Sequence, residues 1–109
     1  TRLFLKLGDA TRHSFAALIY PASGPWQPLS ATTLQLHDGS GARIAEVTIA
    51  IPCCGSAIVW PHTAFDSATL TAAGADGYVL IRDATCRLFG YHGLMDDAGG
   101  FSLDHMFGF

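Results

Sequence analysis

A chain of 109 residues with a net charge of −3 is sized for one domain, and its 14% of charged residues falls well short of the roughly 25% usual in soluble domains. One lysine, one glutamate and five arginines leave few surface-helix formers, which argues against a helical bundle; they make neither a basic stripe for nucleic acid nor a polybasic segment for a membrane surface. No apolar run reaches the roughly 20 residues that a bilayer span needs.

The shortage of charge has two readings. Apolar surface is covered by a partner, a twin subunit or the rest of a longer chain, or the domain is β-rich and uses Thr and Ser as its polar residues. The first residue is Thr1 and not Met, which suits a processed chain or a fragment.

In chain order, Leu3, Leu5 and Leu7 alternate with Arg2, Phe4 and Lys6, the period of a first strand. Phe15, Ala17 and Ile19 alternate with Ala16, Leu18 and Tyr20; both sets are apolar, so the second strand is expected to be buried on both faces. A Pro- and Gly-marked loop over residues 20–30 follows. The third strand is read at 33–37, and Asp38-Gly39-Ser40-Gly41 is expected to form a primed hairpin turn.

Residues 42–60 are the stretch around which the chain is expected to be organised. Ala45, Val47, Ile49 and Ile51 point one way, and Ile44, Glu46, Thr48 and Ala50 the other. Pro52 ends the ladder for want of an N–H, Pro52-Cys53-Cys54-Gly55 is a hairpin or corner with its bend at Gly55, and 56–60 is a further strand. Thr63-Ala64-Phe65-Asp66 resembles a capping box, so a helical turn or two is expected near 64–73, stopped by Gly74. Strands at 78–83 and 86–94 and a turn at 95–100 precede a last segment, 101–109, with Phe101, Leu103, His105, Phe107 and Phe109 on one side. That side is too apolar to be left in water, so the segment is expected to dock on its own sheet or a neighbour's.

Short connections between strands favour antiparallel pairing. The expected fold is all-β: one antiparallel β-sandwich domain over 1–109 with about seven or eight strands and at most one short helix near 64–73, the alternative being a small β-barrel.

Three cysteines make a poor disulfide framework, and neighbours such as Cys53 and Cys54 are strained as a pair, so free structural thiols at strand ends are expected. Cys53, Cys54 and His62 are close in sequence, and Cys86 and His92 would share a strand face. Yet the spacing of a zinc site is missing, and no metal or cofactor is assigned. A Cys54 nucleophile served by His62 or His92 is the catalytic reading, but no catalytic motif supports it, and no catalytic residue is assigned.

The aromatics are more informative. Trp60 shares its strand parity with Ile58 and reads as core. Trp26, Tyr91, Phe101, Phe107 and Phe109 are the candidate binding residues, Trp26 because it sits between prolines in a loop. The leading expectation is a non-enzymatic module acting by protein–protein contact, as a homo-oligomer or assembly component. The alternative is a sandwich that binds a small molecule or sugar through loop aromatics, and the third reading is a small Cys/His enzyme or metal site. A charge-poor exposed sheet marks the first, an open aromatic groove the second and a Cys–His contact in a pocket the third.

Overall fold

Among the described residues, period-two patterning builds eight strands: β1 (Arg2–Lys6), β2 (Arg12–Ile19), β3 (Thr32–His37), β4 (Arg43–Ile49), β5 (Ser56–Val59), β6 (Tyr78–Asp83), β7 (Phe89–Asp96) and β8 (Asp104–His105). The structure is a computed structural model and describes residues 1–23 and 26–106. The strands form two four-stranded sheets, β1-β6-β3-β4 and β5-β2-β7-β8, with every pair antiparallel. Neither sheet closes on itself, and the two enclose one core, so the fold is a β-sandwich and not a barrel.

The core is made where the inward residues of the two sheets meet. Leu3 and Leu5 of β1, Leu34 and Leu36 of β3, and Val79 and Ile81 of β6 face Ala16 and Leu18 of β2, with Tyr20 and Ile51 sealing one end. Each of the larger side chains contributes about 1.5–3 kcal/mol by leaving water. The apolar stretch at 42–60 is not the centre of this arrangement. Among the described residues β4 is an edge strand, paired with β3 alone, and its inward Ala45, Val47 and Ile49 are only half-buried. Their alternation is as expected; the middle of the first sheet belongs to β6 and β3, each paired on both sides.

Residues 52–55 carry the chain from one sheet to the other, so the connection is a corner and not a hairpin. The Gly55 N–H donates to the Pro52 carbonyl at 2.7 Å, closing a β-turn. The positive φ is at Cys54, +66°, and not at Gly55. Residues 38–41 also depart from a primed turn. Asp38 accepts from the Ser40 and Ala42 amides, and Gly41 alone of the turn has a positive φ, with a register shift between Leu36 and His37. This is a tight turn followed by a glycine bulge, the three-residue solution to the same connection.

Between β5 and β6 lie a single helical turn, α1 (Pro61–Ala64), and the short helix α2 (Ser67–Ala73), which packs on β4. Asp66 is the N-cap of α2, its carboxylate accepting from the Thr69 amide at 2.7 Å, and Gly74 closes the helix with φ +76°. Thr63 belongs to the preceding turn, so the cap is Asp66 itself and not a box running from Thr63.

β7 starts three residues later than the pattern suggested, because the Asp83 carboxylate accepts from the Thr85 and Cys86 amides and folds 83–86 into a turn. It ends later too, because Asp96 pairs with Arg12, which also extends β2 backwards from Phe15.

Candidate functional site: the outer face of the second sheet

Residues paired across strands share a face, so the registers lay out the outer surface of β5-β2-β7-β8 row by row. Ser56, Ile19 and Phe89 form one row; Ile58, Ala17, Tyr91 and His105 the next. Phe15 beside Gly93 follows, then His13, Met95 and Phe101. The alternate residues of the same strands, Ala16, Leu18 and Gly90, face the core.

Within this face, the side chains pack on one another. Gly93 leaves room for the Phe15 ring, whose Cζ lies 3.0 Å from the point a Cβ would occupy. Phe15 is covered in turn by Trp60, ring centroids 5.1 Å apart, and becomes buried although it points outward. Tyr91 and His105 meet edge to face at 4.9 Å. At the corner, His62 of α1 stacks on His13 at 3.8 Å and abuts Trp60 at 5.7 Å. Partial desolvation of the exposed His62 by these rings, and then the neighbouring His13, hold its pKa below the usual histidine value.

Much of the face remains in water. Ile58 is 61% exposed, Phe89 49%, Ile19 39% and Phe101 66%. The described residues of these rows include no Asp, Glu, Lys or Arg. The outer face of the first sheet is different in kind. There Arg2 pairs with Arg82, Lys6 with Tyr78, and Gln35 donates to Glu46 at 2.9 Å, Glu46 also meeting Arg43 at 3.3 Å. One sheet shows water a mixed polar and charged surface, and the other an uncharged, aromatic one.

The candidate binding residues fall out unevenly. Tyr91 and Phe101 lie on the uncharged face, and Trp26, 56% exposed, lies in the loop after β2 and Tyr20. Phe107 and Phe109 lie outside the described residues. The last segment does dock on its own sheet, through β8 on β7. The expected buried side is corrected, however. Met106 turns inward against Gly90, while Phe101 and Leu103 stay more than half exposed. The second strand is corrected likewise, since Ile19 faces water. Trp60 is half-buried, and its parity partner Ile58 is exposed, so its packing serves the outer face and not the core.

The cysteine and histidine candidates are held apart. The Cys54 amide donates to the Tyr20 carbonyl beyond one end of β2, whereas His62 stacks on His13 at the other end. At about 3.3 Å per residue, that separates them by roughly 20 Å along the strand. Cys86 lies in the turn before β7, so it shares no strand face with His92. All three cysteines are free thiols: Cys86 buried, Cys53 half-buried and Cys54 exposed. Burial, then the Cys54 thiol, push the Cys53 thiol above its ordinary pKa. Among the described residues no group of three or more His, Cys, Asp or Glu side chains is placed to hold a metal ion.

No protein-family model, curated protein or solved structure matches the chain. The class is therefore set by the fold alone, an antiparallel β-sandwich.

Proposed function

We propose that this domain is a non-enzymatic module that works by protein–protein contact, and that the outer face of β5-β2-β7-β8 packs against a second copy of the chain. The observation that carries the reading is the uncharged, aromatic character of that one face. Ile19, Ile58, Phe89, Phe101 and Leu103 are 39–66% exposed. Taking about 200 Å² for a large apolar side chain, they leave on the order of 500 Å² in water, the scale of the largest patch on a monomer. The half-buried Tyr91, Trp60 and Met95 extend the face toward the roughly 800 Å² per partner of a stable interface. Rows without Asp, Glu, Lys or Arg complement their own twin, because no like charges meet across them when two copies pack.

Sedimentation equilibrium over a range of concentrations tests this. The wild type is expected at twice the chain mass, and Phe89→Asp at the chain mass with an unchanged circular dichroism spectrum. A wild type that stays monomeric throughout would sink the reading.

The binding of a small molecule or sugar is the second reading, favoured by one observation. Among the described residues a groove of about 820 Å³ is lined by Arg2, Arg87, Phe89 and His105. It brings two arginines and two aromatic residues to one groove, a lining suited to an anionic ligand.

A further inference from the structure

The Cys53–Cys54 corner carries an inference independent of the sheet face. Side chains of successive residues in extended chain point to opposite sides. Here the positive φ at Cys54 turns the second thiol back toward the first, and the two Sγ atoms stand 4.0 Å apart. In a turn whose second residue has a negative φ and whose third has a positive one, the third is normally Gly or Asn, and a cysteine there is strained. The strain is held by the surroundings. The Cys53 amide donates to the Pro28 carbonyl at 3.0 Å, the Cys54 amide to the Tyr20 carbonyl at 2.7 Å, and the Gly55 amide to the Pro52 carbonyl at 2.7 Å. Tyr20 is fully buried, and its hydroxyl is fixed by both backbone groups of Gln27. The pair is thus preset, with Cys54 open to solvent.

We infer that Cys53 and Cys54 form a bidentate site for a soft monovalent cation of the Cu(I) class. With a metal–sulfur bond of about 2.3 Å, two sulfurs sharing one ion lie from roughly 3.8 Å apart at a tetrahedral angle to roughly 4.6 Å when linear. The observed 4.0 Å subtends about 120° at the ion, and rotation of the exposed Cys54 side chain closes the remaining roughly 0.6 Å to the linear geometry of a two-coordinate ion. Thiolate ligands select Cu(I) and zinc. Zinc needs four ligands, and among the described residues no third His, Cys, Asp or Glu joins the pair. Cu(I) is satisfied by two. Two thiols and one Cu(I) give one bis-thiolate complex with the release of two protons, and no electron changes hands.

Anaerobic titration of the reduced protein with Cu(I), in competition with bicinchoninate, tests this. The wild type and Cys86→Ser are expected to hold one Cu(I) per chain, with a sulfur-to-copper charge-transfer band in the ultraviolet. Cys54→Gly suits the positive φ and keeps the fold, so its loss of the ion and the band reads the site alone; Cys53→Ser should lose both as well. A wild type that takes no Cu(I) from the competitor, retention of the ion by Cys54→Gly, or its loss in a folded Cys86→Ser would overturn the assignment.

Discussion

Ile19 of β2 and Phe89 of β7 stand directly opposite each other and both point into water, 39% and 49% exposed, while their neighbour Leu18 is fully buried. The inner and outer sides of this sheet therefore differ sharply in what a substitution costs. Leu18→Ala is expected to lose about 2–5 kcal/mol of folding stability through the cavity it leaves. Phe89→Ala, measured at concentrations where the chain is monomeric, is expected to lose less than about 1 kcal/mol. Urea unfolding of both variants checks the pair, and equal losses would place Phe89 in the core.

Much of this was legible in the residues. The period-two runs marked the strands, Asp38 to Gly41 a tight turn, and Gly74 the end of a helix. What pattern cannot carry is which side of a doubly apolar strand faces the other sheet. Phe15, Ala17 and Ile19 are as apolar as Ala16, Leu18 and Tyr20, so both sides of β2 read as core. The register with β5 and β7 decides it, by putting Ile19 beside Ser56 and Phe89. The facing of the tail is hidden for the same reason: Phe101 and Leu103 read as its buried side, yet pairing with Tyr91 and Gly90 leaves them in water and turns Met106 inward. Cys54 held no signal for its positive φ, since the glycine next to it was the natural place for the bend.

Asp83 anchors one end of the sandwich. It is 2% exposed, and its carboxylate accepts from the Thr85 amide and hydroxyl, the Cys86 amide and the Thr32 hydroxyl at 2.7–2.9 Å. A carboxylate only accepts, so Thr32 gives it its proton and takes one from Ser30. Asp83→Ala leaves buried donors unpaired and is expected to cost about 3 kcal/mol in thermal or denaturant unfolding. Burial pushes the Asp83 pKa up, but the donated hydrogen bonds outweigh it and hold the group below its ordinary value. Its contribution is therefore present above the unfolded pKa of about 3.9 and is lost as pH falls through the lower folded value. Wild type should lose stability in that acid window, and Asp83→Asn should show a smaller loss there.

The His13–His62 stack gives a second, milder pH response. The His62 pKa is lowered, first by burial and then by His13, so folding favours its neutral form. Its contribution is complete above the unfolded value of about 6.5 and falls away as pH drops through the folded one. Melting temperatures across pH 7.5 to 5 are expected to fall, and less so in His13→Ala. An identical pH profile in that variant would show that the stack has no part in it.

Gly93 is a packing constraint on the outer face. A Cβ there would collide with the Ser102 carbonyl oxygen and press on the Phe15 ring. Gly93→Ala is expected to cost about 1–3 kcal/mol and to detach β8 from β7. Hydrogen exchange at the Ser102 amide, which donates to Leu94 at 3.0 Å, should then accelerate. Unchanged protection would mean that the β7–β8 pairing accommodates a Cβ at position 93 without parting.

The most direct test of the uncharged face is side-chain footprinting by carbene labelling at high and low protein concentration. Ile19, Ile58, Phe89 and Tyr91 are expected to be labelled less at high concentration, with labelling of Lys6, Arg43 and Arg82 on the other sheet unchanged. Protection of the charged sheet instead, or labelling of Phe89 and Ile58 that does not vary with concentration, would contradict the assignment of the contact surface.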